Sequence, residues 1–138
     1  MRVAMVASEC EPFAKTGGLA DVVDALSRAL GQAGHEVDVY LPKYRGLEPP
    51  AAPSVLGIDV DFGGVEVGVR ILTAQADGYR LRLVDHPPSF ERASYYGENG
   101  ADYPDNGFRF ALLGRAALET MRVEGGPVDM LHVHDWEG

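Results

Sequence analysis

The chain has 138 residues, 46% of them hydrophobic and 24% charged, and carries a net charge of −9 from 12 basic and 21 acidic side chains. That mixture excludes a disordered chain and suits one soluble globular domain, or part of a larger protein, long enough to bury a real core. The acidic balance argues against nucleic acid and anionic membranes as partners, and the single Cys10 excludes an internal disulfide.

The opening "MRVAMVA" is too short an apolar run for a secretory leader, and Glu9 and Glu11 stand where a small-residue cleavage site belongs. No stretch approaches the ~20 apolar residues of a membrane span, so a cytoplasmic setting is expected. Residues 2 to 7 suit a strand buried on both faces. From Leu19 the apolar positions Leu19, Val22, Val23, Leu26, Ala29 and Leu30 follow helical spacing, with Gly31 and Gly34 as the stop. "HEVDVYLP" then alternates as a strand and ends at Pro42. Strand, glycine turn, helix and strand make a right-handed βαβ unit.

Prolines 49, 50 and 53 mark a loop, after which period-two alternation is broken at Gly63-Gly64 and Asp77-Gly78, both hairpin turns. Two or three antiparallel strands are expected there, added to an otherwise parallel sheet. "SFERASYYGENGADYPDN" has no periodicity and reads as a long, functional loop. Phe108, Phe110, Ala111, Leu112, Leu118 and Met121 support a helix that Asp105 or Asn106 would cap. "VDMLHVHDW" reads as another buried strand, with His134, Asp135 and Trp136 at its carboxyl end.

In an open α/β sheet, ligands bind outside the carboxyl ends of the strands. Two stretches fall there: the loop after the first strand and the "HDW" after the last. In the first, Lys15 stands beside Gly17 and Gly18 at a helix start, where amides, the helix dipole and a mobile cation can hold an anion such as a phosphate. A plain glycine turn with a solvated lysine fits the same spacing, and neither G-x-G-x-x-G nor G-x-x-x-x-G-K-[ST] is present. Asp21 suits the positive end of the helix dipole and equally the recognition of sugar hydroxyls. His132 and His134 share one strand face and permit a metal, but two ligands are thin; a packed His132, with Asp135 delivered to a cleft, is the commoner arrangement, and no metal is expected. Tyr95 and Tyr96 are either exposed loop aromatics or a stacking platform.

Taken together, "SECEPFAKTGGLADVVDALSRAL", "LPKY", "YYGENGADYPDNGFRFALLGRAALE" and "VDMLHVHDW" resemble, in order and spacing, the start of the bacterial glycogen and starch synthases, the ADP-glucose-dependent glucan glycosyltransferases. The hairpin region matches least. The resemblance implies an α/β, Rossmann-like three-layer domain with a mostly parallel sheet and an antiparallel hairpin region. It would be an incomplete N-terminal half of a two-domain GT-B enzyme, with the nucleotide-sugar half and the main catalytic His beyond Gly138. It implies that Lys15, Gly17 and Gly18 face the phosphates and glucose of the donor, and that Asp21, Tyr96 and Asp135 line the same cleft, Asp135 in a supporting catalytic role. The implied reaction moves glucose from ADP-glucose, with retention, to the 4-hydroxyl of an α-1,4-glucan. Donor and glucan are substrates, and no cofactor is implied. Two departures stand out: Asp24 replaces a usual Gly and is expected at the surface, and Glu137 replaces the common His or Gln. By this reading, residues 1–138 alone would be marginal, inactive and apolar along the last strand. The alternative is a free-standing, non-catalytic Rossmann-like module that binds glucan or phosphate; the coding sequence after Gly138 distinguishes the two.

Overall fold

A computed structural model describes all 138 residues. In chain order, β1 (Arg2–Val6) leads through α1 (Gly18–Gln32) to β2 (Glu36–Pro42). Strands β3 (Ser54–Phe62), β4 (Val65–Gln75) and β5 (Arg80–Asp85) follow. Next come the single turn α2 (Pro87–Phe90), the short strands β6 (Gly97–Glu98) and β7 (Ala101–Asp102), α3 (Asn106–Glu124) and β8 (Met130–Val133). The main sheet has the order β3-β4-β5-β2-β1-β8. Strands β5, β2, β1 and β8 are mutually parallel, and β3 and β4 extend the sheet as the expected antiparallel hairpin. Both glycines of its Gly63-Gly64 turn have positive φ, at 62° and 92°, as a tight two-residue turn requires.

The crossover from β1 to β2 and the one from β5 to β8 step in opposite directions along the sheet. Right-handed connections therefore put α1 on one face and α3 on the other, which gives three layers. Strand β2, covered on both faces, is buried from Val37 to Pro42. Strand β8 forms as expected, but it lies at the sheet edge, and Met130, Leu131 and Val133 are about half exposed. The reading of a buried strand is corrected, while the exposed apolar last strand expected of residues 1–138 on their own is what the structure has, β8 hydrogen-bonding only β1.

Periodicity misses two features here: α2, which runs into the start of the unpatterned stretch 89–106, and the small β6–β7 hairpin within it, turning at Asn99-Gly100. Neither proposed cap residue caps α3. Asp105 sits at the N-cap position without a side-chain cap bond, because Arg92 holds both its carboxylate oxygens at 2.6 and 2.5 Å. Asn106 instead donates to the Tyr96 carbonyl at 2.9 Å.

The start and stop of α1 set the height of the loop before it. At its end, Gly34 has φ 93°, its amide bonds Gly31 and the next amide bonds Leu30, so Gly34 is the left-handed terminator. Gly31 is not a stop but an interior residue. A Cβ there would lie 2.8 Å from the Gly78 carbonyl carbon, so the helix rests directly on the β4–β5 turn. Asp24 is not at the surface either. It is buried against Tyr79 from that turn, whose hydroxyl donates to it at 3.0 Å, and Arg28 pairs with it at 2.6 Å. The Tyr79 hydroxyl also lies 3.4 Å from the Cys10 sulfur. Burial, opposed by that contact, pushes the Cys10 thiol up to about 12.

Gly31→Ala should destabilise the fold by roughly 2 kcal/mol despite alanine's better helix propensity, because the overpacked contact is backbone on backbone. Urea unfolding reads this; an unchanged or raised midpoint would show that α1 and the turn can part without cost.

Candidate active site

The carboxyl ends of β1 and β8 lie side by side, so the loop after β1 and the "HDW" turn after β8 meet as expected. Tyr96, from the loop before β6, reaches the same place and binds Ser8 and Glu9 at the end of β1. Lys15, Gly17, Gly18, Asp21 and Asp135 are exposed along this end and Tyr96 is half-buried.

The group that organises the site was not singled out from sequence. Glu9 is only 4% exposed, and its carboxylate accepts from the Thr16 amide, the Thr16 hydroxyl at 2.8 Å, the Gly17 amide at 3.2 Å and the Tyr96 hydroxyl at 2.6 Å. Burial alone would push this carboxyl up, but the bonds from Tyr96, Thr16 and Gly17 outweigh it and hold Glu9 below the usual carboxylate range. Glu9 therefore carries a full negative charge at neutral pH. The amides just ahead of α1 do require an anion, and for Thr16 and Gly17 that anion belongs to the chain itself. The signal was an acid directly after an apolar strand, eight residues before a glycine pair. The Tyr96 hydroxyl in turn is held well above its ordinary value, by burial first and by Glu9 next.

What remains open to an incoming ligand lies one step along. Gly17 and Gly18 are both exposed, neither has a positive φ, and a Cβ on either would meet nothing within 4 Å. The fold does not need glycine at these two positions; only a group arriving from outside benefits from their bareness. Lys15 lies beside them and bridges Asp21 at 2.7 Å and Glu11 at 3.5 Å. The hydrogen bond to Asp21 leads the causes that raise its pKa. Both partners are exposed, so an anionic ligand can compete for the ammonium.

On the β8 side, Asp135 has φ 57° and projects from the turn with no ion pair or hydrogen bond to its carboxylate. Trp136, just past the carboxyl end of β8, is 64% exposed. Its ring packs edge-on to Phe110 at 5.3 Å and tilted against Tyr96 at 6.4 Å, forming an exposed aromatic shelf beside the Glu9 network. Tyr95 turns inward and stacks on Tyr44 at 4.1 Å, so of the two tyrosines only Tyr96 belongs to the site. His132 and His134 do share a face, their rings stacked at 4.2 Å, but His134 is the buried one and His132 is half-buried. Burial, then His132, lowers the His134 pKa and leaves it neutral. Glu137 is buried too, with Oε2 unpartnered. Burial, then the charges of Asp135 and Glu9, raises its pKa.

The arrangement offers bare backbone and a displaceable cation on one side, and free carboxylate and aromatic surface on the other. It suits a ligand that is anionic at one end and a sugar at the other. Starch synthase catalytic domains match residues 2–138. Glycogen synthases from Koribacter versatilis and Hydrogenobaculum sp. are 46% and 37% identical over 99% of this chain, which spans 28% of each relative. The catalytic domain of starch synthase IV from Arabidopsis thaliana, solved with ADP and acarbose bound, superposes with a TM-score of 0.81 at 33% identity, over 98% of this chain and 28% of that one.

Glu9→Gln puts an amide NH2 against donors and should cost about 2 kcal/mol at neutral pH. Because the folded pKa of Glu9 is depressed below 4.5, its contribution is complete above that value and fades as pH falls through the lower folded one. Denaturant unfolding of both forms should therefore show a constant gap from pH 6 to 8 that narrows below about pH 4.5. A gap that persists unchanged at pH 3 would mean that the charge of Glu9 is not what holds the loop.

Proposed function

The chain belongs to the starch synthase catalytic domain family, and on that premise we propose that it forms one wall of the active-site cleft of a glycogen synthase. The reaction moves glucose from ADP-glucose to the 4-hydroxyl at the non-reducing end of an α-1,4-glucan, with retention of configuration. The observation that carries this reading is the bare Gly17-Gly18 backbone, which the fold does not demand, set beside Lys15 at a helix start and facing the same strand ends as Asp135.

Under this reading the donor diphosphate displaces the Asp21 and Glu11 carboxylates from Lys15 and takes up the amides at the start of α1 beyond those bound by Glu9. As the bond between glucose and ADP breaks, negative charge grows on the departing phosphate. Lys15 and the helix-start amides stabilise that charge without rearranging. Asp21, once released, is free to accept sugar hydroxyls. Asp135, on the opposite lip, lies beside the transferred glucose and supports the positive charge that develops at its anomeric carbon. Tyr96 and the Trp136 shelf receive the flat face of a sugar ring. Residues 1–138 span 28% of the matched glycogen synthases. We assign the rest of the cleft to the remainder of such a protein and propose that these residues alone transfer no glucose. A cytoplasmic setting belongs to the same proposal.

In the full-length enzyme, Lys15→Ala should leave the melting temperature within a degree or two, since its contacts are exposed, and lower kcat/KM for ADP-glucose roughly ten- to hundred-fold. Gly18→Ala should leave stability unchanged or slightly raised, as alanine favours a helix start, and still lower kcat/KM. Loss of stability without loss of kcat/KM in both variants would sink the reading of this loop as the donor-phosphate site.

A further inference from the structure

Arg109 has the wrong character for its place. It lies in the first turn of α3, where the helix dipole disfavours a cation, and it is fully buried. Asp105, whose charge reaches it, is engaged by Arg92, and no carboxylate pairs with Arg109 directly. Burial, then the charge of Arg92, lowers its pKa. The guanidinium lies instead among aromatic rings, 4.9 Å from the centroid of Tyr103, 5.2 Å from Phe110 and 5.5 Å from Phe90, so its surroundings fix its place without a carboxylate partner.

The guanidinium Nε donates to the Ser89 carbonyl at 2.6 Å, and Nη1 donates to the Tyr95 carbonyl and to Asn106 Oδ1, both at 2.8 Å. Asn106 Nδ2 donates to the Tyr96 carbonyl at 2.9 Å. The peptide groups on both sides of the Tyr96 Cα are thus held from the first turn of α3. At the far end of the same side chain, the Tyr96 hydroxyl meets Ser8 Oγ at 2.7 Å and Glu9 at 2.6 Å. Hydrogen bonds on either side of the Tyr96 side chain, which joins them covalently, thus link Arg109 through Glu9 to the Thr16 and Gly17 amides.

We propose that Arg109, aided by Asn106, is a positioning residue of this site: it sets the Tyr96 backbone so that the phenol meets Glu9, and Glu9 in turn sets the loop that presents Lys15, Gly17 and Gly18. A lysine at this position keeps the charge but has no planar fork to hold Ser89, Tyr95 and Asn106 at once. The inference rests on the glucosyltransferase reading for its kinetic arm only.

The test is a double-mutant cycle of R109K with Y96F in the full-length enzyme, read by kcat/KM and by the amide resonances of Thr16 and Gly17. R109K should lower kcat/KM roughly ten-fold or more in the Tyr96 background and less than about three-fold in the Y96F background, with similar melting-temperature shifts in both. The two amide resonances should move in R109K, and R109K should move them little further once Y96F is in place. Equal kinetic losses in both backgrounds, or unmoved resonances in R109K, would overturn the proposal. Should R109K fail to fold, N106A removes the bond to the Tyr96 carbonyl together with the Arg109 bond to Asn106 Oδ1, leaves the Arg109 bonds to Ser89 and Tyr95 in place, and enters the same cycle. Moved resonances in an enzyme that transfers no glucose would leave the positioning role standing and remove the glucosyltransferase reading instead.

Discussion

The structure of this chain turns on one carboxylate. A helix that starts in a sharp turn leaves several amides without partners, and here that turn is also bare, with open space over Gly17 and Gly18. Glu9 accepts from the two amides ahead of the helix, leaving those within its first turn free. Because the same carboxylate receives the Tyr96 hydroxyl, the end of β1, the glycine loop and the loop before β6 share a single fixed point. Remove its charge and three segments far apart in sequence lose their common reference.

Elements whose signal is local were readable from the sequence. The apolar strands, the 3.6-residue stripe of α1 and the Gly63-Gly64 turn depend on periodicity and on φ, and both are written within a few residues. The candidates Lys15, Gly17, Gly18, Asp21, Tyr96 and Asp135 were legible from their places at strand ends, helix start and loop, with the resemblance adding a role for each, and the parallel pairing of β1 with β8 explains why they share one end. What the sequence concealed depends on distant partners. Asp24 looked like a surface acid because Tyr79, the partner that buries it, is 55 residues away. Gly31 looked like a helix stop because nothing nearby reveals the Gly78 backbone pressed against it. Asp105 looked like a cap, but Arg92 offers its carboxylate two donors.

Charge distribution separates the two lips of the site. The protein carries a net charge of −9, yet the glycine loop presents amide dipoles and a lysine whose carboxylate partners are exposed and displaceable. The β8 lip carries Asp135 uncompensated, with Glu137 buried behind it. A ligand that is anionic at one end only would be oriented before it makes any specific contact, because the wrong orientation brings its charge towards Asp135.

The lone cysteine has a practical consequence. Cys10 is the residue after Glu9, fully buried beneath α1 against Tyr79, with its thiol pushed up to about 12. In the closed structure it offers a disulfide reagent neither access nor a thiolate. Any modification must follow a fluctuation that lifts the 10–14 turn away from the helix, and that motion also disturbs the seat of Glu9. The rate at which the native protein takes up a thiol reagent is therefore a built-in clock for opening of the loop, and a ligand that settles on the loop should slow it.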